Sequence, residues 1–168
     1  ALPQQEKNYH DNDELSTILD YFAPVETAPG AWQAELSERH GYDVSGSLQE
    51  QVVYTKPPLQ AGVAWASVPA TRTLYYPAGG IWQLTTYSSP LVSSSAGGSF
   101  WSSVRETHEE RDAGDAIMFT ESYQAYQDQG IWESYRSRVD FYQGGFATLP
   151  CYITYNQQGD EQANTCSP

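Results

Sequence analysis

The chain of 168 residues sets 8 Lys+Arg against 21 Asp+Glu, a formal net charge of −13. Such a field repels phosphate backbones and anionic lipid surfaces, so nucleic-acid binding is not expected. Hydrophobic residues make up 39% and aromatics 14%, with 13 Tyr and 5 Trp, which excludes global disorder and suits a single domain.

Residues 1–10 are polar and read as a flexible tail. Between Asp11 and Phe22, the residues Leu15, Ile18, Leu19 and Phe22 recur at helical spacing, which predicts a short helix. Asp11 and Glu14 can supply its capping box, and Pro24 stops it,. The cluster His10 to Glu14 is better explained by that capping than by a metal.

From Ala31 onward the period becomes two, with Trp32, Ala34 and Leu36 on one side and Gln33, Glu35 and Ser37 on the other,. His40-Gly41 reads as a turn. Strands are predicted over Tyr42 to Ser45, Leu48 to Thr55, Val63 to Val68, Thr71 to Tyr76 and Ile81 to Tyr87. Ser88 to Ser99 is rich in Ser and Gly and reads as a loop forming a lid or rim,. Phe100 to Val104 resumes a strand, and Arg105 to Asp115 reads as a charged turn. Ala116 to Tyr126, Ile131 to Tyr142 and Phe146 to Tyr155 complete the set, with turns at Gln129-Gly130 and Gly144-Gly145. The longest apolar run, Ala61 to Ala70, is short and interrupted by Gly, Ser and Pro, so no membrane insertion is expected.

These elements predict an all-β fold. The expected form is a mostly antiparallel up-and-down barrel of about eight to ten strands behind a short N-terminal helix. It would occupy residues 11–168 as one domain, with a β-trefoil or β-sandwich as the alternatives. Gly-x-Trp occurs at Gly30, Gly80 and Gly130, but little else matches between those segments, so shared turn chemistry explains the spacing better than a three-fold repeat. A short helix followed by Gly30-Ala31-Trp32 resembles the opening of the lipocalin and wider calycin families. That resemblance implies a barrel with Trp32 plugging its closed end and a small ligand in its mouth. An arginine packed on that Trp, in the same resemblance, would be Arg136 or Arg138.

The segment Ile131 to Tyr142 carries the most chemistry. Strict alternation puts Ile131, Glu133, Tyr135, Ser137, Val139 and Phe141 on one face. The other face receives Trp132, Ser134, Arg136, Arg138, Asp140 and Tyr142,. If this second face looks inward, its arginines and aromatics line a pocket for an anionic or hydroxylated ligand; if not, they balance an acidic surface. Candidate ligand-binding residues are therefore Trp132, Arg136, Arg138 and Tyr142, with Trp82 and Tyr123 as further stacking surfaces. His108 among Glu106, Glu109, Glu110, Asp112 and Asp115 matches no catalytic or metal-loop spacing,. No catalytic residue, metal site or cofactor is nominated.

Cys151 and Cys166 are expected to form one disulfide, stabilising by roughly 3 kcal/mol in the chain-entropy model. With a start at Ala1 in place of Met, this reads as a processed secreted protein, extracellular or periplasmic. The functional expectation is a secreted barrel holding a small amphipathic or aromatic ligand inside. The alternatives are a small lyase, isomerase or cyclase using the same cavity, and a module that interacts with oligosaccharide.

Overall fold

The computed structural model describes residue 2, residues 4–142 and residues 151–166. Over these residues the chain forms strands and turns, with no helix. In chain order the strands are β1 (Gln5–Tyr9), β2 (Leu15–Tyr21), β3 (Val25–Ala28), β4 (Ala31–Gln33), β5 (Leu36–Tyr42), β6 (Leu48–Thr55), β7 (Val63–Ala64) and β8 (Val68–Tyr75). They continue with β9 (Ile81–Tyr87), β10 (Leu91–Ser95), β11 (Gly98–Ser102), β12 (Arg105–Arg111), β13 (Ile117–Asp128), β14 (Ile131–Phe141), β15 (Cys151–Tyr155) and β16 (Glu161–Asn164).

Eleven of these form one sheet in the order β1-β2-β5-β6-β8-β9-β12-β13-β14-β15-β16, with every neighbouring pair antiparallel. The meander gives the sheet two unlike ends. At the turn end, β1–β2, β5–β6, β8–β9 and β12–β13 close as tight hairpins. At the loop end, three longer connections carry β3–β4, then β7, then β10–β11, and the tight β13–β14 and β15–β16 hairpins also close there.

The four tight turns at the turn end share one hydrogen-bond pattern, which the β15–β16 turn at the loop end also follows, the Asn156 amide donating to the Asp160 carbonyl at 3.0 Å with Gly159 at a φ of 87°. The amides of His10, Asp43, Tyr76 and Asp112 donate to the carbonyls of Glu14, Ser47, Gly80 and Ala116, at 2.8, 3.0, 3.1 and 2.9 Å. In each turn the fourth residue donates back to the first and sits at positive φ: Asp13 at 65°, Gly46 at 80°, Gly79 at 86° and Asp115 at 68°. This is the three-residue hairpin built from a type I turn and a left-handed residue. The turns begin 33, 33 and 36 residues apart, so the sheet repeats by strand pair. The Gly-x-Trp triplets do not follow that repeat. Gly30, Gly80 and Gly130 each sit at positive φ before a strand, but Gly80 lies at the turn end, whereas Gly130 lies at the loop end.

At the loop end the connections pack on one another. β11 pairs with β7 in parallel. The Trp65 indole donates to the Pro57 carbonyl at 3.0 Å, and the Gln33 amide donates to the Trp65 carbonyl at 2.8 Å. Ser93, in β10, is fully buried and its hydroxyl receives the Trp132 amide at 3.0 Å. The Ser94 amide meets the Gly130 carbonyl at 2.8 Å, so close that a Cβ on Gly130 would stand 2.9 Å from the Ser94 carbonyl oxygen.

Burial is sparse elsewhere. Among the described residues the core consists of Val52, Trp65, Val68, Val104 and Val139 with Thr73, Thr85 and Ser93. The accessible surface is 9991 Å², about a fifth above the ~8,300 Å² that scaling gives a compact monomer of this mass. Much of the sheet therefore presents both faces to solvent.

Several expectations are corrected. The sheet is open: β1 and β16 are its two edges, so the antiparallel all-β class holds while the closed barrel does not. The predicted helix over Asp11 to Phe22 is instead a hairpin turn followed by β2. Asp13 at positive φ ends any helical path, and the Glu14 amide meets the Asn12 side chain at 3.3 Å in a local turn. A helix this short is marginal alone, whereas β2 is paired along both edges by β1 and β5. Residues Gln5–Tyr9, read as tail, form β1. Trp32 is 60% exposed in the small β3–β4 ribbon and plugs no core. His40-Gly41 lies within β5 and most of the charged Arg105 to Asp115 stretch is β12; in both, polar side chains alternate across a sheet that is wet on both faces. The loop read over Ser88 to Ser99 contains β10, whose serines pair by hydroxyl contacts, Ser93 with Ser102 at 2.8 Å. Gly144-Gly145 and the first part of Phe146 to Tyr155 lie outside the described residues. The Cys151–Cys166 disulfide is present, with Cα atoms 4.8 Å apart, and ties the β15–β16 edge. Such a bond suits an oxidising, non-cytoplasmic compartment.

Candidate functional site

Two bulges decide which side chains share a face. Across β13 and β14, Ser122 stands opposite Arg138 and Tyr123 opposite Arg136, which leaves Ser137 as an extra residue. Its hydroxyl donates to the Ser122 carbonyl at 3.0 Å. One extra residue reverses the alternation, so Arg136 and Arg138 point to opposite faces. Between β9 and β12, Arg105 stands opposite Tyr87 and Thr107 opposite Thr86, leaving Glu106 as the extra residue.

These reversals align a row on one face: Tyr87 of β9, Arg105 of β12, Tyr123 of β13, Arg136 of β14 and Tyr155 of β15. Tyrosine and arginine alternate on five adjacent strands. The Arg105 guanidinium lies 5.1 Å from the Tyr123 ring centroid and donates to its hydroxyl at 3.0 Å. Arg136 lies 4.7 Å from the Tyr155 ring centroid. The row spans four strand spacings, about 19 Å.

Glu121 anchors the row from one pair further along β13. It accepts from the Tyr123 hydroxyl at 2.6 Å and from Arg136 at 2.9 Å. Burial of this carboxylate opposes its charge, but the hydrogen bonds from Tyr123 and Arg136 and the Arg136 charge outweigh it, and its pKa lies below the ordinary glutamate value,. The Tyr123 hydroxyl is pushed up, by burial first and then by its bond to Glu121. Both effects hold the row in one protonation state at neutral pH. Among the described residues Arg105 is the one arginine with no ion pair; Arg39, Arg72, Arg136 and Arg138 each have one and Arg111 has two.

His108 stands opposite Glu121. Its Nδ1 lies 3.0 Å from the Thr85 hydroxyl, and its ring lies 6.2 Å from that of Phe119. A recess of about 270 Å³ nearby is bordered by Leu84, Thr107, Glu109, Thr120 and Ser122, together with His108 and Glu121. Strand register puts the first five on the face opposite the row, so the side chains of His108 and Glu121 turn away from it,.

The residues nominated from sequence are dispersed. Tyr123 and Arg136 come together as direct cross-strand partners. Arg138 lies on the other face, bonded to Asp140 at 2.5 Å and 4.0 Å from the Tyr152 ring centroid. Tyr142 lies on that same face, its hydroxyl 3.4 Å from that of Thr120. Trp82, 40% exposed, sits beside Tyr76 at the turn end, their rings 6.1 Å apart. Trp132 is the second residue of β14, its amide bonded to Ser93 of β10. Tyr87, Arg105, Glu121 and Tyr155 were not nominated. A usable signal existed for two of them, since Tyr87 and Arg105 flank the Ser-rich connection as a closing pair would. Comparison with protein-family models and with curated proteins finds no match.

Proposed function

We propose that the protein is a secreted carbohydrate-interaction module that lays an extended, uncharged oligosaccharide along the Tyr87–Tyr155 row. The observation that carries this reading is the alternation of tyrosine and arginine at one level of five adjacent strands. Tyrosine rings offer flat apolar faces to sugar C–H groups, and Glu121 and Arg105 hold the Tyr123 hydroxyl in place. Arginines between them donate to ring hydroxyls in fixed directions, and Glu121 holds one of them in place. A polyanionic sugar is disfavoured by the net charge of −13,. The interior chamber required by the barrel expectation has no counterpart in an open sheet, so the ligand is assigned to this exposed row.

An enzymatic reading draws on His108 beside Glu121. It is the weaker one, because Glu121 is held ionised by two donors and is a poor general base, and because the recess opens on the other face. Affinity electrophoresis against a panel of neutral and acidic polysaccharides tests the proposal. Binding to a neutral glycan is expected, weakened at least tenfold in R105A and in Y123A with the fold intact by circular dichroism. No retardation by any neutral glycan, or retardation unchanged in both variants, would sink it.

A further inference from the structure

On the face opposite the row, near the other edge of the sheet, Asp20 of β2 stands directly across from Glu38 of β5, and His40 lies two residues further along β5. One ligand atom from each of these three side chains falls within 4.8 Å of the others. The His40 Nε2 is 3.2 Å from the Glu38 carboxylate. We propose that Asp20, Glu38 and His40 bind a divalent first-row metal ion of the zinc type, an inference independent of the carbohydrate reading.

Three features support it. First, two partly buried carboxylates share this corner, and neither forms an ion pair with Lys or Arg among the described residues. Asp20 receives the Gln5 amide at 2.7 Å and Glu38 receives the Gln51 amide, so apart from His40 both hydrogen-bond donors are neutral. Lys7 stands opposite Ile18, one pair-step away on the same face, and makes no ion pair among the described residues. Second, the His40 Nδ1 is buried without a hydrogen-bond partner. With its proton on Nε2 the ring serves Glu38 and leaves a bare buried lone pair on Nδ1. With the proton on Nδ1 a buried N–H is stranded. Either state is costly, so no hydrogen bond at Nδ1 fixes the tautomer, and Nε2, which faces Glu38 and lies 3.5 Å from the Gln51 amide nitrogen, is the nitrogen placed to take the cation. Third, the surroundings are ordered: Tyr75 donates to the Gln51 carbonyl oxygen at 2.8 Å, which fixes the amide that touches Glu38.

The donor set selects the ion. One imidazole nitrogen with two carboxylates suits zinc and its neighbours, whereas calcium and magnesium prefer all-oxygen shells. Three protein ligands leave a coordination position for water, and all three side chains are partly exposed, so that position is reachable.

The test is titration of metal-stripped protein with zinc chloride against a chromophoric chelator, alongside thermal melts and cobalt(II) absorption. One equivalent of zinc is expected to bind and raise the melting temperature. Cobalt is expected to give visible bands characteristic of four- or five-coordination. E38Q and H40Q should each lose at least tenfold in zinc affinity and lose the cobalt bands. D43N, in the β5–β6 turn away from the triad, should lose neither. If E38Q or H40Q misfolds, D20N serves in its place, because asparagine keeps an acceptor for Gln5. Failure to bind a stoichiometric ion, or binding unchanged in the triad variants, would overturn the site.

Discussion

At the turn end, four hairpins close with the same three-residue turn and leave the central residues of each turn exposed. At the loop end, three connections fold over one another and hold Trp65, Val68, Ser93 and Val104 out of water. The difference separates two jobs. Turns that repeat a backbone pattern fix the register of the strand pairs by local geometry alone, and they need no core to do it. The loop end supplies the long-range burial that an open sheet otherwise lacks, and the Tyr–Arg row and the Asp20–Glu38–His40 cluster both sit towards it.

The largest effect should therefore come from emptying the loop end. Trp65 is 6% exposed, donates to Pro57 and packs beneath Lys56, whose Nζ lies 5.6 Å from its ring centroid. W65A removes that ring and the surface it covers, and should cost about 3–5 kcal/mol by urea denaturation. A loss below about 1 kcal/mol would mean that the loop end does not carry the fold.

An intermediate effect is expected where the row meets its anchor. E121Q keeps the shape of Glu121 but removes the charge that pairs with Arg136, in a side chain only 13% exposed. The expected cost is about 1–2 kcal/mol at neutral pH. Because the folded pKa of Glu121 lies below its ordinary value of 4.5, the carboxylate contributes its full stabilisation above that value. The contribution fades as pH falls through the lower, folded pKa. Wild type and E121Q should thus differ at pH 7 and converge in stability towards acid. A gap that stays constant or widens as pH drops would show that the charge is not what matters.

These contrasts also mark how far the sequence could be read. The all-β class, the antiparallel pairing and the Cys151–Cys166 bond followed from period, turn residues and spacing, which are local properties. The helix over Asp11 to Phe22 misled because Leu15, Ile18, Leu19 and Phe22 satisfy the helical period while Ser16, Thr17 and Ile18 fit a strand equally well. What decided it was the pairing of β2 with β1 and β5, which is not local. Closure into a barrel is likewise a property of how the first and last strands meet, and no stretch of sequence records it. The candidate site was obscured by single-residue bulges. Strict alternation set Arg136 beside Arg138, and one extra residue, Ser137, sends them to opposite faces. The same device at Glu106 brings Arg105 into line with Tyr87, so the row emerges only once register is known.

The smallest expected effect tests whether the turn end is as interchangeable as its hydrogen bonds imply. In the turns at 43–47 and 76–80 the left-handed position is glycine, but in the turn at 10–14 it is Asp13, at a φ of 65°. A side chain there costs roughly 1 kcal/mol in conformational strain. Replacement by glycine recovers that cost and loses somewhat less through greater freedom of the unfolded chain. D13G should therefore stabilise by about 0.5 kcal/mol, read as a higher urea midpoint with an unchanged slope. Asp115 holds the same position in its own turn but also bonds Arg111 at 2.9 Å, so D115G should gain less or nothing. If D13G destabilises the protein while D115G does not, the turns are not equivalent closures. Asp13 would then serve in a contact beyond its own hairpin, a step from the neighbouring turn where the Asn12 side chain already meets the Val44 carbonyl at 3.2 Å.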